Sequence, residues 1–183
     1  MRQTIRRFSI AAVAVLATGG VLMLGSSLVG AQSYAVLTED QKQHIVENCV
    51  SIKSSLNQLH ATDALLRVNR GQMYESLSSK LMDRFNDRLG SNNLDNKAML
   101  TVTSNYRQQL NEFRSHYISY EQKVSAALNV DCTKKPIEFH ALLQEARTLR
   151  NTVHTDVIKL HQIIDDYRSS VGTFLLNYER LSQ

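Results

Sequence analysis

Proline occurs once in the 183 residues, at Pro136, and tryptophan does not occur at all. Average proline usage is about 5%, so proline-dependent turns are scarce in this chain. The shortage argues against a turn-dense β-sandwich or barrel and against a proline-rich disordered chain. Glycine is also unevenly placed, because four of the seven glycines lie in the first 31 residues. This change in composition marks a boundary near residue 31.

A basic start followed by a long uncharged run is typical of a targeting segment. Arg2, Arg6 and Arg7 precede residues 10–29, which carry no charge. Small residues lead up to Ala31, so we expect residues 1–31 to be a secretory signal peptide that is cleaved after Ala31. The uncharged run is also as long as a membrane span requires, and an uncleaved signal anchor is the alternative. Both hypotheses place residues 32–183 outside the cytoplasm, secreted or tethered to the outer face of the membrane by residues 10–29.

The positive charge of the chain belongs mainly to this segment. The whole chain has 21 Lys+Arg against 17 Asp+Glu, and residues 1–31 hold three arginines and no acid, which leaves 18 against 17. The remaining formal charge of +1 gives no reason to expect nucleic acid as a partner. Contact with a membrane is expected only through an uncleaved N-terminal segment.

After a short linker at 32–37, the spacing of apolar residues is helical. We expect an all-α domain over 38–183, with helices at about 38–89, 95–129 and 136–182. Thr38 and Gln41 have the form of a capping box, and Gly90 is placed to end the first helix in a left-handed conformation. Short connections make neighbouring helices antiparallel. The sequence therefore predicts an elongated, coiled-coil-like, up-down-up three-helix bundle.

The apolar residues of each helix recur at steps of three and four, which is typical of heptad packing. In the first helix the expected inward residues are Ile45, Cys49, Ile52, Leu56, Leu59, Met73, Leu77, Leu81 and Phe85. In the second they are Met99, Val102, Tyr106, Leu110, Phe113, Tyr117, Tyr120, Val124 and Leu128.

The only two cysteines are Cys49 and Cys132. An even count in an exported protein favours a disulfide. If the first turn centres near Asn92, antiparallel pairing places Cys49 level with residue 135, about one helical turn from Cys132. We therefore expect a Cys49–Cys132 disulfide that ties the start of the first helix to the loop after the second.

Polar residues interrupt the heptad pattern in the middle of the first helix. Asp63 and Arg70 fall at positions that call for apolar residues, with Arg67 beside them. We expect Asp63 to pair with Arg147 or Arg150, and Arg70 to pair with Glu112 or Asp156. A buried polar layer commonly fixes helix register, and that is the favoured interpretation. The alternative is a binding site in which the arginines hold an anionic group.

No catalytic constellation, metal motif or cofactor motif is found, so we expect neither an enzyme nor a bound metal or cofactor. His116 and His154 are predicted to lie at one level of the bundle, with His161 two turns from His154, but surface histidines are the simpler interpretation. The segment Leu37-Thr38-Glu39-Asp40-Gln41 resembles the Leu-Thr-x-x-Gln motif of the periplasmic Spy and CpxP-type helical chaperones, over five residues that a helix N-cap also explains.

The leading hypothesis is a non-enzymatic helical bundle at the cell envelope that acts through protein–protein contact, as a spacer, scaffold or adaptor. Its partners are unidentified proteins or a second copy of the same chain. Two alternatives remain open. One is a ligand- or metal-sensing domain centred on Asp63, Arg67 and Arg70, and the other is a holdase-type helical chaperone.

Overall fold

The computed structural model describes residues 37–181, and 90% of them are helical. No strand occurs in this range, which confirms the all-α prediction. The described residues belong to one compact unit, Tyr34–Gln183. The predicted signal peptide at 1–31 with its cleavage at Ala31, the span at 10–29 and nearly all of the linker lie outside the described residues. Within the described range, no helix is both long enough and apolar enough to cross a membrane.

The first helical stretch is divided into segments. It comprises α1 (Glu39–Glu47), α2 (Cys49–Ser76), a π-helical segment (Leu77–Met82) and α3 (Asp83–Ser91). The capping box is present. The backbone amide of Gln41 donates to Thr38 Oγ1 at 3.3 Å, and the backbone amide of Thr38 donates to Gln41 Oε1 at 3.0 Å. The break falls at Asn48, whose backbone leaves the helical region with a φ of −104° and a ψ of 12°. Its backbone and side-chain amides both donate to the His44 carbonyl, at 3.1 Å and 2.9 Å.

The inward-facing residues around the π-helical segment are shifted by one from the predicted ones. Met73 and Leu81, predicted to be inward, are 46% and 53% exposed, whereas Tyr74 and Met82 are 0% and 1% exposed. The shift is already present at Tyr74, which lies in α2 before the π-helical segment. From there the buried residues follow at steps of four, through Ser78, Met82 and Asn86. The predicted inward positions Met73 and Leu81 are therefore wrong by one residue.

The turn after α3 is closed by Asn93 rather than by Gly90. Asn93 has a φ of 57°, and Gly90 lies within α3. The Leu94 amide donates to the Leu89 carbonyl at 2.9 Å, and the Asn93 amide donates to the Gly90 carbonyl at 3.0 Å. These two bonds form a Schellman motif with Asn93 in the left-handed position. The prediction for Gly90 is wrong because an asparagine three residues later tolerates that conformation.

Two long helices, α4 (Lys97–Asn129) and α5 (Pro136–Leu181), make up the rest of the described residues. The predicted inward stripe of α4 is confirmed, since seven of its nine members are buried and Val102 and Leu128 are half-buried. Pro136 opens α5, where its missing amide hydrogen costs no helical bond.

Contacts between α2 and α4 run in opposite directions along the two helices. Cys49 bonds to Cys132, His60 contacts Glu121, and the Tyr106 hydroxyl donates to the Tyr74 carbonyl at 3.0 Å. The Cys49–Cys132 disulfide, with Cα atoms 5.7 Å apart, confirms the predicted bridge. It links the first residue of α2 to the connection between α4 and α5.

The core consists of two apolar clusters. The first surrounds the disulfide and includes Leu56, Val124 and Phe139, and the second includes Tyr74, Met82, Met99, Tyr106 and Leu160. On α2 the last buried residue near the first cluster is Asp63, and the next buried residue is Tyr74. The middle of α2 therefore contributes no buried side chain, and the candidate site lies there.

Candidate functional site

A cleft of about 660 Å³ lies between the middle of α2 and α5, and we call it the α2–α5 cleft. Its floor is formed by α4. The lining residues are Asp63, Leu66, Arg67 and Arg70 of α2, Phe113, Tyr117 and Tyr120 of α4, and Arg150, Asn151, Val153, His154, Val157, Ile158 and His161 of α5. Cavities of this size between helices are common places for ligands.

Asp63 stands at one end of the cleft and is held by two partners. Arg150 donates to it twice, from Nε at 2.9 Å and from Nη2 at 3.2 Å, and the Tyr120 hydroxyl donates at 2.7 Å. Burial alone raises the pKa of Asp63, but the hydrogen bonds from Arg150 and Tyr120 outweigh it and leave the pKa below its ordinary value. Asp63 is therefore a carboxylate at neutral pH, engaged on both oxygens.

Arg67 and Arg70 lie on the same stretch of α2, and both are exposed. The Arg67 guanidinium lies 5.0 Å from the centre of the Tyr117 ring, a cation–π contact. Neither arginine forms a salt bridge within residues 37–181. The structure thus brings the predicted Asp63, Arg67, Arg70 and Arg150 to one cleft, but Arg70 has neither of its expected partners.

The expected partners of Arg70 are engaged elsewhere. Glu112 accepts a hydrogen bond from Gln108 at 3.2 Å on the surface of α4. Asp156 is 1% exposed and contacts Gln109 at 3.0 Å and His116 at 2.6 Å. The predicted Arg70–Glu112 and Arg70–Asp156 pairs are therefore wrong, because nearer groups on α4 satisfy both carboxylates. Arg147 is exposed, and Arg150 takes the place next to Asp63 that either arginine was expected to fill.

The pair formed by Gln109 and His116 was missed from the sequence. They lie two turns apart on α4, beside its apolar stripe, and both reach Asp156. Spacing of i and i+7 on a buried face is the signal that identifies such a pair. His116 is therefore used by Asp156, while His154 and His161 line the α2–α5 cleft. Within residues 37–181 no three potential metal-ligating side chains cluster together.

The tyrosines of the cleft act as hydrogen-bond donors. Burial is the main cause that raises the pKa of both Tyr117 and Tyr120, and the neighbouring carboxylates Glu121 and Asp63 raise it further. Both hydroxyls therefore keep their protons at neutral pH. Tyr117 donates to Glu121, and Tyr120 donates to Asp63. Arg67 and Arg70, which have no carboxylate partner among the described residues, offer donors to an anion, and the aromatic floor offers an apolar surface.

A second groove lies between α2 and α4, and we call it the α2–α4 groove. It adjoins the α2–α5 cleft, because Arg67 and Tyr117 line both. It has a volume of about 610 Å³. Val68 of α2 and Ile118 of α4 line it, and each is 49% exposed. Leu65, one turn before Val68, is 64% exposed. Comparisons with protein-family models, curated proteins and solved structures find no match for this chain.

Proposed function

We propose that the protein is a non-enzymatic module of the cell envelope that acts by binding a partner protein outside the cytoplasm. In this proposal residues 1–31 export the chain, and the described helices form an elongated up-down-up three-helix bundle. The reversed order of α2–α4 contacts supports that topology. The Cys49–Cys132 disulfide is compatible with the location, because disulfides persist mainly in oxidising compartments.

The observation that carries this proposal is the apolar surface around the α2–α4 groove. Leu65, Val68 and Ile118 are each about half exposed or more, and none belongs to either core cluster. Adjacent exposed apolar side chains on a soluble domain commonly mark a contact surface. The buried carboxylates of Asp63 and Asp156 are already hydrogen-bonded to side chains of the bundle. They are therefore poorly placed to act on a substrate, which favours a binding role over a catalytic one.

The test compares two variants of the full chain in the producing cell. Val68→Asp combined with Ile118→Asp places two charges in the groove, and Leu100→Asp is the matched control at a 47% exposed leucine of α4. After chemical cross-linking, proteins that co-purify with the wild type are quantified. We expect the groove variant to lose a specific set of them and the control to retain that set. Equal recovery from both variants contradicts the proposal, and a loss of self-association by sedimentation would identify the partner as a second copy.

A second candidate is a ligand-binding or sensing role for the α2–α5 cleft. It is favoured by one specific observation, the presence of Arg67 and Arg70 without carboxylate partners at the edge of an apolar cleft. Guanidinium groups bind carboxylates and phosphates through paired hydrogen bonds. The α2–α4 groove and the α2–α5 cleft adjoin each other, because Arg67 and Tyr117 line both.

A further inference from the structure

Arg67 and Arg70 occupy inward-facing positions of α2. Asp63, Arg67, Arg70 and Tyr74 follow one another at spacings of four, three and four, which places them on one face of the helix. Asp63 and Tyr74 at the ends of this series are buried, but the two arginines between them are exposed. The space that apolar side chains would fill in a packed bundle is therefore occupied by the α2–α5 cleft.

The cleft carries an excess of positive charge. Three arginines and one carboxylate line it, which gives a formal charge of +2 with neutral histidines. The carboxylate of Asp63 already accepts hydrogen bonds from Arg150 and Tyr120. No carboxylate lining the cleft is therefore left for Arg67 or Arg70, and their donors point to an anionic ligand.

Apolar side chains form much of the remaining lining, beside Asn151, His154 and His161. Phe113 is 4% exposed and belongs to the second core cluster, which Val153 and Val157 also contact. At the edge, Leu66 is 47% and Ile158 is 45% exposed. Covering such side chains removes apolar surface from water and stabilises a complex. An inorganic anion would leave this surface exposed, and an uncharged hydrophobic molecule would leave the arginines unused.

We propose that the α2–α5 cleft binds a small anionic amphiphile, a molecule with one carboxylate or phosphate group on an apolar body. The anionic group pairs with Arg67 and Arg70, and the apolar body lies over Phe113, Val153 and Val157. This inference rests on the second candidate function and gives the chemical class of its ligand. The protein-contact proposal for the α2–α4 groove does not depend on it.

Photolabelling of the full chain tests the proposal and locates the bound molecule. A decanoate carrying a diazirine on its chain is activated by light, and labelled peptides are identified by mass spectrometry. We expect label on the segment from Val153 to His161, and competition by unlabelled decanoate or decyl phosphate. Acetate, inorganic phosphate and decanol should each compete at least about tenfold more weakly, because each lacks one of the two binding elements. Label on the uncharged residues 10–29 is counted apart from label in the cleft, because it gives no information on binding there.

Two double variants and one control variant complete the design. Arg67→Gln combined with Arg70→Gln should lower cleft labelling about tenfold, whereas Arg84→Gln, a matched change at an exposed arginine of α3, should leave it unchanged. Leu66→Ser combined with Ile158→Ser should lower it severalfold. Circular dichroism verifies that each variant is folded, and the single variant Arg70→Gln serves if the double variant is not.

The outcomes separate the ligand class from the binding role. Competition by acetate or phosphate as strong as that by decanoate would show an anion site and overturn the amphiphile class while leaving the second candidate function in place. Competition by decanol of equal strength, or labelling unaffected by the arginine variants, would also overturn the class. No label in the cleft, with no effect of any competitor, would contradict both the class and the ligand-binding function.

Discussion

The Cys49–Cys132 disulfide is expected to supply a large part of the stability of the described domain. The bridge joins residues separated by 83 positions. In the chain-entropy model, a loop of this length removes about 15 cal/mol/K from the unfolded state, which corresponds to about 4.5 kcal/mol at 25 °C. Small domains have total unfolding free energies of about 5–15 kcal/mol. Cys49→Ala combined with Cys132→Ala should therefore lower the free energy of unfolding by up to about 4.5 kcal/mol.

Urea unfolding followed by far-ultraviolet circular dichroism measures this loss. Reduced wild-type protein is the matched control, because it opens the same loop without changing the sequence. Hydrogen exchange should also show faster exchange in α1, which contains no buried residue and precedes the bridge directly. If the oxidised wild type and the alanine variant unfold with free energies within about 1 kcal/mol of each other, the assignment of a long-loop constraint is refuted.

Three further predictions concern single residues. Asp63→Asn should lower the unfolding free energy at neutral pH by about 1–3 kcal/mol, since Arg150 loses a charged partner but is half exposed and can be hydrated. The pKa of Asp63 is lowered in the folded state, so its contribution to the unfolding free energy is present above pH about 4 and is lost as the pH falls below that. The difference in unfolding free energy between wild type and variant should therefore shrink in acid. A constant difference would contradict the assignment. Gly71→Ala should raise the unfolding free energy by about 1 kcal/mol, because α2 continues through Gly71 and nothing lies within 4 Å of an added Cβ; a thermal melt that shows a decrease would contradict this. Asn93→Ala should cost about 1 kcal/mol by urea unfolding, whereas Asn93→Gly should cost nothing, because only the alanine is strained at a φ of 57°.

The sequence predicted the features that depend on local spacing and two contacts that follow from antiparallel helix pairing. The stripe of α4, the capping box at Thr38 and the start of α5 at Pro136 follow from short-range patterns, and the structure agrees with each. The cysteine pair followed from the cysteine count and from antiparallel pairing about the first turn, and it is also present. Asp63 was also expected next to Arg147 or Arg150, and Arg150 is its partner.

The remaining features depend on competition between distant groups, which spacing does not show. Arg70 was assigned to Asp156, but Gln109 and His116 are closer to that carboxylate on α4. Met73 was expected to be inward, but Tyr74 is the buried residue and packs into the second core cluster. The absence of buried side chains between Asp63 and Tyr74 follows from where α2 lies relative to α4 and α5, and this decides whether the polar layer is a packed core or a cleft.

Hydrogen exchange of residues 64–73 tests most directly the claim that the middle of α2 is a binding region. The measurement compares purified protein with the same chain in isolated cell envelopes, and peptides from α4 serve as an internal reference. In the purified protein we expect this segment to exchange faster than the parts of α2 around the buried residues Leu56 and Tyr74. In envelopes we expect it to be specifically protected. Equal exchange of residues 64–73 in both preparations would contradict the account.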